Sequence, residues 1–113
     1  MKFKLITTAR LAIRRFKADD WQGLYDYLSQ PETVEFEPYE PFSFSEAKTE
    51  AERRSNDDSF YAVCLKESGK LIGNMYLAKR DFDSAEIGYV FNADYRGKGY
   101  ATEAAIALEL ILK

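Results

Sequence analysis

The run Tyr95-Arg96-Gly97-Lys98-Gly99-Tyr100-Ala101-Thr102-Glu103-Ala104 follows a strand-like segment and opens a helix-like one. A junction of this kind turns several backbone N–H groups toward one point, where a phosphate can sit. Gly97 and Gly99 let the chain turn tightly and approach a ligand without an intervening Cβ. Arg96 and Lys98 add positive charge beside those donors. Taken alone, the same residues also read as an ordinary tight turn with two solvent-facing basic side chains. The turn is not a P-loop, because no Gly-x-x-x-x-Gly-Lys-Ser/Thr occurs. It also lacks the third glycine of the dinucleotide fingerprint and sits in an antiparallel neighbourhood, the wrong setting for it.

A carboxylate lies up the strand that leads into this turn. Residues alternate sides along a strand, so Glu86, Gly88 and Val90 share one face. Glu86 is therefore spaced to serve as a general base, and equally to be a strand-end glutamate facing water. The loop Glu35-Phe36-Glu37-Pro38-Tyr39-Glu40-Pro41-Phe42 mixes carboxylates with aromatic rings. That chemistry suits a cationic acceptor, which Phe36 and Tyr39 would help to line. Alternatively, Phe36 and Phe42 simply tack the loop to the core. Cys64 stands inside the apolar run Phe60 to Leu65, where a thiol packs rather than reacts. With no histidine in the chain, histidine metal sites and histidine-based triads are excluded, and proton transfer falls to carboxylates, Tyr, Lys or water.

The elements that must position these residues follow from periodicity. Leu11 to Phe16 alternates as a first strand. Asp19 and Asp20 favour a helix start, and Trp21, Leu24, Tyr25 and Leu28 recur on one helical face until Pro31. Gln30 to Ser43 holds all three prolines and reads as a loop. Ser43-Phe44-Ser45-Glu46 has capping-box spacing, with Phe44, Ala47 and Ala51 on one face of a second helix that breaks at Asn56 to Asp58. Phe60 to Leu65 and Leu71 to Leu77 form strands joined by Lys66 to Lys70, and Asp81 to Ser84 turn the chain into a fourth strand, Ala85 to Phe91. A last helix starts near Lys98 and is marked by Ala101, Ala104, Ala105, Leu108 and Leu112. The expected fold class is mixed α/β (α+β), in the order β-α-α-β-β-β-α, with helices covering a largely antiparallel sheet.

Composition agrees with one globular domain. The 113 residues are 46% hydrophobic, 31% charged and 15% aromatic, enough apolar surface to bury a core at a size where stability is marginal. A net charge of −3 argues against an electrostatic nucleic-acid binder. No apolar stretch approaches the length of a membrane span. A single cysteine allows no intrachain disulfide and suits a reducing, cytoplasmic setting.

Together these residues resemble the GNAT superfamily of N-acetyltransferases. The superfamily's cofactor signature is Gln/Arg-x-x-Gly-x-Gly/Ala at a helix start, and Arg96-Gly97-Lys98-Gly99-Tyr100-Ala101 fits it at each specified position. Thr8-Ala9-Arg10-Leu11-Ala12-Ile13-Arg14 followed by Asp19-Asp20 looks like the ribosomal-protein-alanine N-acetyltransferase branch. So do Ile72-Gly73 and Glu86-Ile87-Gly88-Tyr89. The resemblance implies an acetyl-CoA site with the pyrophosphate against the N–H groups of Arg96 to Ala101. The pantetheine arm would pair with the strand around Tyr89, Val90 and Phe91, and an N–H of Val90 or Phe91 would polarise the thioester carbonyl. Glu86 matches the position of a general base in several members, which would make an ammonium acceptor nucleophilic.

The implied function is acetyl transfer from acetyl-CoA, without a metal, to a primary amine, either a protein N-terminus or a small-molecule amine. A complete domain of that family continues beyond this helix with a strand that splays from the fourth and a helix that often supplies a general-acid Tyr. Residues 1–113 are therefore expected to be a single incomplete domain with an uncovered edge on the fourth strand. Such an edge invites pairing with another copy. The alternative is accordingly a non-catalytic module that binds CoA or assembles through that edge.

Overall fold

The computed structural model describes residues 5–79 and 85–112. Two short strands, β1 (Ile6–Thr7) and β2 (Leu11–Arg15), lead through a 3-10 turn at Ala18–Asp20 into α1 (Trp21–Leu28), α2 (Pro31–Val34) and α3 (Phe44–Ser55). Strands β3 (Phe60–Leu65), β4 (Leu71–Lys79) and β5 (Ala85–Phe91) follow, then a 3-10 turn at Ala93–Tyr95 and α4 (Tyr100–Leu112). The five strands lie in sequence order in one sheet, every neighbouring pair antiparallel. This is the expected mixed α/β class, with β1 as an addition. Two residues are too few to show alternation, and β1 exists only through the partners Ile6↔Ile13 and Thr7↔Ala12. The turn expected at Asp81 to Ser84 lies outside the described residues.

Alternation sorts the core into two layers. Ala62, Cys64, Leu71 and Val90 pack with Leu24, Tyr27, Leu28 and Ala51, on the sheet face covered by α1 and α3. Leu11, Ile13, Val63, Met75 and Phe91 pack with Ala104 and Leu108 of α4 on the opposite face. A bulge between Val63 and Cys64 places Ile72 with the α4 layer.

The expected capping box forms at α3: the Glu46 N–H donates to Ser43 Oγ (3.2 Å) and the Ser43 N–H to Glu46 Oε1 (2.8 Å), closing donors that would otherwise be orphaned. Ala47 and Ala51 are buried one turn apart as expected. Phe44 instead stays half exposed, its ring edge-on to Trp21 at 4.6 Å. Helix α1 ends before Pro31, which opens α2 at its first position rather than merely stopping α1. Proline fits there because its missing N–H has no helical partner anyway. The loop expected over Gln30 to Ser43 thus contains a helical turn. Tyr27, absent from the expected apolar face of α1, is fully buried, whereas Tyr25 is exposed.

Between α1, α3 and the sheet lies a buried polar cluster. Tyr27 Oη donates to Asn74 Oδ1 at 2.6 Å, and Arg54 donates to the same oxygen at 3.1 Å. Arg54 also donates through Nε to Glu50 Oε2 at 2.6 Å, and Arg53 donates to both Glu50 oxygens. Burial pushes the Glu50 carboxyl up, but the hydrogen bonds and charges of the two arginines outweigh it and hold it below the usual carboxylate range. A carboxyl depressed in the folded state contributes stability above its unfolded pKa and loses it as pH falls through the folded one. We therefore expect the urea midpoint to fall on acidification below about pH 4.5. Glu50→Gln should be less stable near neutrality and show a flatter acid limb; parallel curves would refute the linkage.

Candidate active site

The glycine turn forms one end of an open cleft of about 530 Å³ beside the end of β5. Gly97 and Gly99 have φ of +77° and +83°, values that L side chains rarely adopt. An added Cβ at Gly97 would meet nothing within 4 Å, so its open side leaves room for a ligand against the backbone. Tyr100, Ala101 and Thr102 at the start of α4 continue the wall. The opposite end is made by Tyr89, Val90 and Phe91 of β5, with Thr33, Phe36 and Glu37 alongside.

Strand β5 pairs with β4 on one side, and no strand among the described residues covers its other edge. The Asn92 N–H donates to the Ile72 carbonyl of β4 at 2.8 Å. Amides alternate sides along a strand, so Val90 faces β4 and Phe91 and Tyr89 direct their N–H groups outward. Of the two amides expected to meet a thioester carbonyl, that of Phe91 faces the open edge and that of Val90 faces β4. The edge can accept an extended amide-bearing arm as an added strand.

Arg96 lines the cleft and also makes structural contacts. Its guanidinium donates to the carbonyls of Phe91 (3.3 Å), Glu32 (3.0 Å) and Thr33 (2.7 Å). It therefore braces the end of α2 against the end of β5. Two further residues escaped the sequence reading. Asn92 is buried, accepts from the Asp94 N–H (2.9 Å) and from Gln30 (3.2 Å), and donates to Asp26 (3.2 Å). Thr33 accepts from the Ala93 N–H (3.1 Å) and donates to Gln30 (2.9 Å). The spacing Asn92-Ala93-Asp94 was the available signal, since asparagine commonly bonds its own backbone two residues on. Lys98 points its ammonium toward the Tyr95 ring, 5.6 Å from the centroid, and is not part of the cleft wall.

A second cavity of about 360 Å³ lies on the α1–α3 side of β5 and shares Glu37, Tyr89 and Val90 with the first. Tyr39, Tyr76 and Phe60 surround it, and the Arg54–Asn74 cluster underlies it. Phe36, 86% exposed, thus belongs to the cofactor-sized cleft, while the half-buried Tyr39 belongs to the second cavity. The reading of Phe36 as a tack to the core does not hold; Phe42 does pack against it. Burial, and secondarily Glu37, push the Tyr39 phenol up, so it stays protonated near neutrality. Glu86 is exposed, pairs in register with Ala78, and lines neither cavity. It shares the face of Gly88 and Val90, about 13 Å from Val90 at strand spacing. Burial raises the Cys64 thiol, consistent with a packing role.

A strand edge with outward amides thus ends in a positive-φ glycine turn at a helix start, on one α/β framework. Residues 10–110 match the acetyltransferase (GNAT) domain family model, and the chain belongs to that family. It is 38% identical over 105 residues to the uncharacterized N-acetyltransferase YnaD of Bacillus subtilis, covering 91% of this chain and 62% of that protein. It also resembles the crystal structure of a GNAT-family acetyltransferase from Bacillus anthracis. There the TM-score is 0.83, with 30% identity over 93% of this chain and 63% of that one. A putative ribosomal-protein-serine acetyltransferase from Vibrio cholerae superposes with a TM-score of 0.81 at 27% identity, over 98% of this chain and 68% of that one. The chain thus spans less than two thirds of the length of the first two relatives.

Proposed function

We propose that this chain carries the acetyl-CoA site of an N-acetyltransferase whose acceptor is a primary amine. The observation that carries this reading is the continuity from the open edge of β5 to the glycine turn in one cleft. The residues present fit acetyl-CoA: outward amides for a pantetheine arm, an anion-receiving turn and a helix start for a pyrophosphate. Acetyl-CoA supplies the activated acyl group as a thioester. The Phe91 N–H is directed to hold developing negative charge on the acyl oxygen.

An amine acceptor arrives protonated near neutral pH. Glu37, the carboxylate shared by both cavities, is placed to receive the ammonium, and Tyr39 flanks its approach. Glu86, on the same strand face, is the proposed base that takes its proton through intervening water. The resemblance to ribosomal-protein acetyltransferases favours a protein N-terminus as acceptor, with a small-molecule amine as the other candidate. The exposed Ile87 and Tyr89 favour a second use of the β5 edge, pairing with another copy, which would occupy the same outward amides.

Isothermal titration with acetyl-CoA tests cofactor binding; no heat at millimolar ligand removes the reading. With an acetyl-accepting peptide library, Glu86→Gln should lower kcat about a hundredfold or more, whereas Glu37→Gln should chiefly raise the acceptor KM. An unchanged kcat for Glu86→Gln would take the base role from that residue. Light scattering with and without acetyl-CoA separates edge pairing from cofactor binding.

A further inference from the structure

The segment between β1 and β2 reaches the glycine turn from a separate hollow, lined by Ala9, Arg10 and Tyr100 among others, which shares only Tyr100 with the cleft. Arg10 Nε donates to Glu103 Oε1 at 2.8 Å, and the Arg10 N–H donates to Glu103 Oε2 at 3.1 Å. The Thr8 hydroxyl donates to that same Oε2, and the Leu11 N–H donates to the Thr8 hydroxyl at 3.0 Å. The Glu103 N–H in turn donates to the Gly99 carbonyl at 3.0 Å. Thus oriented, the Arg10 guanidinium donates through Nη1 to the Lys98 carbonyl at 2.9 Å and lies 4.3 Å from the centre of the Tyr100 ring.

The Lys98 carbonyl is the informative contact. It belongs to the peptide unit that ends in the Gly99 N–H, and in a trans peptide these two groups point in opposite directions. Gly97 and Gly99 line the cleft, whereas Arg10 does not. A carbonyl held toward Arg10 therefore keeps the Gly99 N–H on the cleft side. Glycine populates both signs of φ about equally, so the Lys98–Gly99 peptide has little intrinsic resistance to rotating its carbonyl into the anion site. Stability is a weak account of this arrangement, because the Arg10 side chain is 44% exposed and ion pairs of that kind contribute little to folding.

We propose that Arg10 is a positioning residue for the cofactor pyrophosphate, locking the Lys98–Gly99 peptide so that its N–H remains turned to the cleft. The proposal rests on the reading of this cleft as an acyl-CoA site. Glu103 and Thr8 fix the guanidinium, and the guanidinium fixes the turn.

The test uses the whole chain and two readouts. In the free protein, Arg10→Ala should broaden or split the Gly99 amide resonance while leaving Leu24 and Ala51 unchanged. By titration, the same variant should bind acetyl-CoA about tenfold more weakly, the loss expected from one charge-assisted bond. Affinity for S-acetylpantetheine, which has no pyrophosphate, should not change, and the melting temperature should barely move. An unaltered Gly99 amide, or equal weakening for both ligands, overturns the proposal. If the unsubstituted chain binds neither ligand, the acyl-CoA reading fails and this proposal with it. An unaltered amide beside normal wild-type binding refutes the lock alone.

Discussion

Gly97→Asp is expected to weaken acetyl-CoA binding by about a hundredfold or more, with the chain still folded. Gly97 has a φ of +77° and nothing within 4 Å of an added Cβ. Aspartate tolerates positive φ better than most residues, so the cost to the fold is about 1 kcal/mol. The effect on binding is electrostatic. On the proposed reading of the cleft, a carboxylate on its wall would face a dianionic pyrophosphate at a few ångströms, where unit charges repel by about 4 kcal/mol at an effective dielectric constant near 20. Gly97→Ala separates the two contributions, because it introduces the strain without the charge and should weaken binding only a few-fold. Titration of both variants checks this. An aspartate variant that binds like wild type would show that the pyrophosphate does not lie against Gly97.

Arg54→Ala is expected to produce the largest loss of stability, about 3–5 kcal/mol. Only 4% of Arg54 is exposed, and it donates to two groups, Glu50 and Asn74. Its removal leaves Arg53 as a partner of Glu50 on one side and Tyr27 as a partner of Asn74 on the other. It also removes the cation 4.5 Å from the Phe60 ring and 5.3 Å from the Phe16 ring. For a domain near this size that loss lowers the melting temperature by roughly 15 °C or more. Because the cluster underlies the second cavity, the acceptor KM should rise while acetyl-CoA affinity is retained. A melting shift of only a few degrees would mean that water replaces Arg54 in its site.

Much of the fold was legible because its signals are local. The Ser43–Glu46 box sets the start of α3, and Phe60 to Leu65 and Ala85 to Phe91 were delimited in sequence as they stand in the structure. Gly97 and Gly99 marked the tight turn because positive φ is a property of single residues. Other features needed partners distant in the chain. β1 exists only against Ile13 and Ala12, and Tyr27 was passed over until Asn74 met its hydroxyl across 47 positions.

The site divides in the same way. Sequence alone determined the family signature, the strand that leads into it and the carboxylates on offer, because composition and spacing encode those directly. Tertiary structure decided what each does. It gave Arg96 a bracing role between α2 and β5 as well as a place on the cleft wall, and it turned the Phe91 amide, not that of Val90, to the open edge. It placed Glu37, rather than Glu86, on the boundary of both cavities and brought Arg10 to the Lys98 carbonyl. The physical reason is that a side chain's role depends on which backbone groups lie within about 3 Å of it. For Arg10 and Arg96 those groups come from segments that only folding brings together.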